Sequence, residues 1–435
     1  MKRNTIIVLL LAFSFSLNAQ KKVFIPEDLK SMDLNDPESK WCFKRSVETE
    51  NLIFFWEKGF GDDLNNPPML EGKPMRFNLD NLKYRVESFY RFFRDSLKFS
   101  LPGSKADRYK MMVMINYSLD GTAYGGTYDN FIGALWVAPN RIQDQKLNCL
   151  AHELGHSFQL QIPADSVGDA WGGSGFFEMT SQWMLWQVNP DWVKDEQYHF
   201  DAFRKLTHKA FLHMENIYHS PYVIEWWSEL RGKTSIAELY RKGKKGEDPV
   251  ITYKQKFNLS QAQFCDEMFA GYQHLVNFDF FHARSETRPY ACTFSTPMNL
   301  RGKNTYYPSH QFAPENYGFN AIKLSVPQAG KTVTVHFQGL PNADGYHVIH
   351  PEKAGWRYGF VGVTKDDKTI YGEVCRDAKG KVKFKAPQQP LKALYFIVMG
   401  APTEHWMNPM SWGNDKQPDA QWPYQIQLKG ATVIP

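Results

Sequence analysis

His152 and His156 stand four residues apart in "LNCLAHELGHSFQL" (Leu147 to Leu160), with Glu153 directly after the first. On a helix, residues i and i+4 lie ~40° apart around the axis, so both imidazoles project from one face. Their ring nitrogens can converge on one ion at ~2 Å, the distance that tetrahedral zinc requires. Glu153, offset by ~100°, cannot easily ligate the same ion, but it can reach a water held there and take its proton. Zinc lowers the pKa of such a water to ~7, which makes the transfer feasible at neutral pH. The competing reading is a buried helix whose histidines are satisfied core polar groups.

Three neighbours favour the metal. Leu147, Leu150, Leu154 and Phe158 are apolar, so the helix is buried where a site helix should be. Gly155 costs ~1 kcal/mol relative to Ala in a helix interior, and a small residue between the histidines lets another segment pass close by. Glu178 sits on the apolar side of "FFEMTSQWMLW". Buried and unpaired, a glutamate there is expensive, and ligation removes that cost. The glycines of "WGGSG" supply the reversal between the two helices, and Ser174 can cap the second. His152, His156 and Glu178 are therefore the expected metal ligands, with Asp165 and Asp169 in the intervening loop competing for the third place. Ile162 excludes a site with three histidines from one extended motif.

Other elements must position these side chains. "NLIFFWEKGFG" (Asn51 to Gly61) reads as a strand ending in a glycine turn. "NLDNLKYRVESFYRFFRDSLKF" (Asn78 to Phe99) reads as a helix capped by Asn78 or Asp80. Tyr109 to Ser118 reads as a buried strand, "DGTAYGGTYDN" as a glycine-rich turn and "FIGALWVAP" (Phe131 to Pro139) as another strand. After the helix at Phe176 to Val188 the pattern is mostly helical. It then changes to short β-rich runs, among them "NAIKLSV", "KTVTVHFQG", "RYGFVGVTK" and "ALYFIVMG", separated by turn signals. That spacing predicts an antiparallel sandwich. The expected fold is an α+β domain over 20–310, with a mixed-sheet lobe and a helical lobe, followed by an all-β sandwich domain over 311–435.

Composition bounds the partners. A chain of 435 residues exceeds one ordinary core, so two domains are expected. The formal charge of +5 is mild, and the richest basic patch, RKGKK at Arg241 to Lys245, reads as a solvated loop, so no nucleic-acid partner is expected. Lys2 and Arg3, the apolar stretch Thr5 to Leu17 and Asn18-Ala19-Gln20 predict a signal peptide over 1–19, cleaved after Ala19. That run is too short to span a bilayer and no other segment comes close, so no transmembrane segment is expected. Gln rather than Cys follows the cleavage point, which argues against a lipid anchor. The mature protein is expected in a periplasm or outside the cell. The five cysteines form no CxxC pair, so a cysteine zinc site is not expected. The odd number leaves a thiol free, and a disulfide is permitted but not assigned.

HExxH followed, one helix later, by Glu resembles the gluzincin group of zinc metallopeptidases. More narrowly, HE-L-GH-SFQ, with Gly155 before the second histidine and Gln159 after it, resembles the enhancin-like, mucin-degrading peptidases. The layout also resembles an uncharacterised family of secreted bacterial proteins with a zincin core and a C-terminal β domain. The resemblance implies a zincin-like fold for the first domain, His152, His156 and Glu178 as zinc ligands, and Glu153 as general base and acid. It implies that "FIGALWVA" is the strand above the zinc, where Gly133, Ala134 and Trp136 would bind an extended substrate. Thermolysin-like enzymes carry Asp four residues after the third ligand to orient a ligand histidine. Here that position is Gln182, so the supporting partner must differ.

A peptidase of this kind also needs a donor for the tetrahedral oxyanion. Tyr218, His219 and Tyr222 in "NIYHSPYVIEWW" are candidates, and His219 and Tyr222 are assigned beside Glu153; aromatic packing at a helix start is the competing reading. The function expected is that of an exported zinc-dependent endopeptidase cutting proteins or glycoproteins. Trp356, Tyr358 and Trp406 of the β domain either stack on glycans or fill the sandwich core. Two alternatives stand: a non-catalytic (glyco)protein-binding protein on the same scaffold, against which an intact Glu153 argues, and a zinc hydrolase of a non-peptide bond. His199, His208 and His213 read as helix-surface residues, and His336, His347, His350 and His405 show no metal spacing.

Overall fold

The uninterrupted apolar runs LIFFW and MMVMI demand cover on both faces, which only interior strands receive. In the computed structural model, which describes residues 20–173, 176–281, 285–408 and 418–435, they become neighbouring parallel strands. The first sheet comprises β1 (Ser46–Glu48), β2 (Leu52–Trp56), β3 (Met111–Ile115), β4 (Ala123–Tyr128) and β5 (Ile132–Val137), in the spatial order β1-β2-β3-β5-β4. β2, β3 and β5 run parallel, while β1 and β4 are antiparallel edge strands. The stretch expected to be a glycine-rich turn therefore contains a strand. The expected signal peptide and the cap at Ser174 lie outside the described residues.

Helix α1 (Leu79–Arg91) starts at Asn78, whose side chain accepts the Asn81 N–H at 3.0 Å. Helix α2 (Asn148–Ala164) packs on the first sheet and, on its other side, against α3 (Phe176–Val188). The helical stretch continues with α4 (Gln197–Lys205), α5 (Tyr222–Arg231), α6 (Thr234–Lys242), α7 (Pro249–Phe257) and α8 (Gln261–Leu275). Sequence periodicity left α7 unread, although its start carries a local signal. Asp248 accepts the Ile251 N–H at 2.9 Å and Pro249 fills the first turn, where no N–H is needed. Helix α8 opens with a reciprocal capping box between Ser260 and Gln263.

The rest of the chain forms two antiparallel sheets. Its strands are β6 (Asn299–Leu300), β7 (Thr305–Tyr307), β8 (Phe319–Leu324), β9 (Thr332–Gly339), β10 (Trp356–Thr364), β11 (Thr369–Tyr371), β12 (Lys379–Lys385), β13 (Leu391–Gly400) and β14 (Tyr424–Lys429). One sheet has the order β11-β10-β13-β8 and the other β12-β9-β14-β7-β6. Their facing sides share a core that includes Ile322, Val335, Phe337, Phe360, Phe396 and Ile426. The opposite side of the four-stranded sheet, with Val361, Val363, Tyr395, Ile397 and Met399, joins the same apolar cluster as helix α8 and the first sheet. That is why every residue of β10 is buried rather than alternating. Trp356 and Tyr358 are fully buried between the two sheets, so neither can stack on a glycan. His199 and His208 are buried too, not on helix surfaces as their sequence context suggested. Among the described residues no helix is long and apolar enough to cross a membrane.

Candidate metal centre

Helix α2 is tied to the sheet by its own polar residues. Ser157 donates to the Ala134 carbonyl at 2.8 Å, and the Gln161 amide accepts the Gly133 N–H at 2.8 Å and donates to the Phe131 carbonyl at 3.2 Å. On its other side α3 crosses at Gly155. A Cβ there would lie 2.6 Å from Ser181 Oγ and 3.4 Å from the Met184 sulfur, so the expectation of a close-passing segment describes α3. The crossing brings the first turn of α3, with Glu178, over His152 and His156.

Three acceptor atoms meet there. Glu178 Oε2 lies 3.0 Å from His152 Nε2 and 3.1 Å from His156 Nε2, and the two nitrogens are 3.0 Å apart. Atoms at ~2.0 Å around a tetrahedral ion are separated by ~3.3 Å, so the group fits a zinc-sized ion after small movements. Asp165 does not join it. Its carboxylate accepts the Lys105 N–H at 2.9 Å and the Gln161 amide at 3.0 Å. Asp169 is not part of the grouping either.

The protons on the two imidazoles are dictated by two glutamines. Gln182 Nε2 donates to the Tyr218 carbonyl at 2.9 Å, which turns Gln182 Oε1 toward His152 Nδ1 at 3.0 Å. Gln159 Nε2 donates to the Phe177 carbonyl at 3.0 Å, which turns Gln159 Oε1 toward His156 Nδ1 at 2.9 Å. An amide oxygen can only accept, so each Nδ1 carries the hydrogen and each Nε2 presents a lone pair to the site. Three acceptors facing one another repel unless a proton or a metal cation lies between them. Burial opposes ionisation of Glu178, but the two histidines outweigh it and hold its carboxyl far below the usual range. Burial likewise pulls His156 down, but Glu178 outweighs it and shifts His156 upward.

Gln182, four residues after Glu178, is thus the partner of His152, at the position where the resemblance would have placed Asp. Its role was not legible in advance, because glutamine can either donate or accept and only the Tyr218 carbonyl decides which. Glu153 stands beside the ligand group, its Oε2 accepting the Gly125 N–H of β4 at 2.8 Å.

A family model described as "Family of unknown function (DUF6055)" matches residues 15–434. The chain belongs to the DUF6055 family. No curated protein matches it.

In this DUF6055 chain three sequence assignments need correction. Gly133, Ala134 and Trp136 lie on β5, which is paired on both sides by β3 and β4, and Gln161 and Ser157 engage Gly133 and Ala134. They cannot pair with a substrate; the free edge belongs to β4. Tyr222 is 1% exposed, its ring packed against Trp186, Phe203 and Phe278, and it faces the core. His219 packs against His199 rather than joining the ligand group. Of the three donor candidates, Tyr218 is the one beside the site. It is 38% exposed, with its ring 6.1 Å from that of His152. Burial and then the Glu178 carboxylate push its hydroxyl up to about 12.

A second grouping in this DUF6055 chain, His213, Glu315 and Asp419, obeys a different logic. His213 Nδ1 accepts the Glu215 N–H at 3.1 Å, so a neutral ring carries its hydrogen on Nε2, the atom facing Asp419 at 3.9 Å. The Lys209 ammonium already stands 3.5 Å from Glu315. A protonated nitrogen and a lysine suit an internal ion-pair network, not a metal.

Proposed function

We propose that the protein is an exported, zinc-dependent endopeptidase with a zincin-like scaffold, acting on extended segments of proteins or glycoproteins. The observation that carries the reading is the pair of imidazole lone pairs and one carboxylate, aimed at a common point by Gln182 and Gln159. An antiparallel edge strand lying directly over the HELGH helix supports the scaffold assignment. His152, His156 and Glu178 would hold the zinc, which supplies a Lewis acid for a carbonyl oxygen and an acidified water.

The remaining work falls to this chain's own groups. Glu153, fixed through Oε2 by Gly125, keeps Oε1 to take a proton from the attacking water and pass it to the leaving amine. The Tyr218 hydroxyl stays protonated throughout the neutral range and can donate to a developing oxyanion. Gly125 N–H faces off the sheet, so by two-residue alternation Ala123 and Thr127 do as well, and an extended peptide can pair along that edge.

The test is elemental analysis of purified protein together with peptide hydrolysis by wild type and Glu153→Gln. One zinc per chain is expected in both, with hydrolysis reduced by at least ~10²-fold in the variant. Zinc-free wild type, or a fully active Glu153→Gln protein, would overturn the proposal.

A further inference from the structure

Behind Gln182 the hydrogen bonds continue in one direction. The second hydrogen of the Gln182 amide faces His199 Nε2 at 3.2 Å. That nitrogen must accept, so the His199 hydrogen sits on Nδ1, which lies 2.7 Å from His219 Nδ1. His219 must accept in turn and carries its own hydrogen on Nε2. Burial, and after it His199, push His219 down to about 4, so it is a neutral acceptor at neutral pH. The Glu196 carboxylate is 3.5 Å from His199 Nε2 but is engaged by Trp192 Nε1 at 2.9 Å and Asn148 Nδ2 at 3.1 Å. A carboxylate has no hydrogen to offer His199. The competing arrangement, with the His199 proton on Nε2 toward Glu196, would set an N–H against the Gln182 amide N–H.

We infer that His199 and His219 are positioning residues for the metal site. Together with the Tyr218 carbonyl they lock the Gln182 amide in the orientation that keeps the lone pair of His152 Nε2 turned to the metal. The inference rests on the proposed zinc site and deepens it. It places the control of one ligand's tautomer in one buried and one half-buried ring, both outside the ligand group.

Zinc affinity, measured by competition with a chelating dye, tests it on His199→Phe and His199→Gln. Phenylalanine fills the space but cannot accept, and about a tenfold weaker zinc affinity is expected. Glutamine can present its amide oxygen to Gln182 and is expected to recover most of that loss. A packing role alone would lower Tm in both variants and leave zinc affinity unchanged. Equal affinity of wild type and His199→Phe overturns the positioning role alone, whereas a wild type that binds no zinc overturns the site itself. Should His199→Phe fail to fold, long-range 15N–1H spectra of chelator-treated wild type decide the matter. His152 and His199 are expected as Nδ1–H tautomers and His219 as Nε2–H. A His199 hydrogen found on Nε2 overturns the inference.

Discussion

Gly125 and Glu153 touch twice: the glycine N–H donates to the glutamate Oε2 at 2.8 Å, and a Cβ on the glycine would fall 1.8 Å from the glutamate's main-chain carbonyl oxygen. Any side chain at 125 must therefore push β4 off the motif helix, because the obstacle is backbone and cannot rotate away.

Gly125→Ala is expected to cost ~1–3 kcal/mol of stability through this overlap, read as a lower Tm. Displacing the strand from Glu153 should cut hydrolysis ~10²-fold, with bound zinc retained. Wild-type turnover would show that β4 does not help to align the base.

Thr127→Pro removes an N–H that faces off the sheet edge while leaving the β4–β5 ladder intact, a position where proline is tolerated. Tm is expected to change little, and KM for a peptide substrate to rise ~10-fold, equivalent to one lost hydrogen bond of ~1.4 kcal/mol. An unchanged KM would argue that peptides do not pair along this strand.

Gly155→Ala gains ~1 kcal/mol of helix propensity but sets a methyl 2.6 Å from Ser181 Oγ. The overlap should win, giving a net loss of ~1 kcal/mol. Adding Ser181→Ala should recover stability, because the double variant replaces a hydroxyl with hydrogen at the point of conflict. Strictly additive losses in denaturant melts would contradict this account.

Glu315 predicts a pH dependence. Burial pushes its carboxyl up to about 7, aided by the Asp419 charge and opposed by Lys209, with His213 facing the same group. A carboxyl that holds its proton more tightly folded than unfolded stabilises the fold at acid pH. That contribution is lost as the pH rises from the unfolded value of 4.5 through about 7. The loss is on the order of 3 kcal/mol. Glu315→Gln should remove this part of the slope and be the more stable protein at pH 8. Parallel Tm-versus-pH curves for the two proteins would refute the assignment.

Much of the site could be read from the chain. The four-residue spacing of His152 and His156 needs only a helix to converge, and a lone glutamate on an apolar helix face has few other uses. One strand was read as a turn for a definite reason. Gly125 and Gly126 in "AYGGTY" read as turn residues, whereas here glycine is needed so that a strand can lie on the motif helix. The resemblance put "FIGALWVA" above the zinc as the substrate strand, yet its hydrophobicity places it in the sheet interior. Tyr222 and Tyr218 are four residues apart, and local pattern does not reveal which of the two faces the core. In the later β-rich stretch, "RYGFVGVTK" and "ALYFIVMG" announced strands, but their burial on both sides depends on α8, which lies far away in sequence.

The doubly covered four-stranded sheet sets a limit on dissection. Tyr272 of α8 stacks on Phe319 at 4.1 Å and donates to the Tyr317 carbonyl at 2.7 Å, while Asp266 pairs with Arg357 at 2.6 Å and with Arg376 at 3.0 Å. Cutting the chain ahead of β8 would strip an oily wall from the half that carries the histidines. The half that carries the histidines and its β-rich companion are inseparable by trimming, and a minimal folded fragment has to include both.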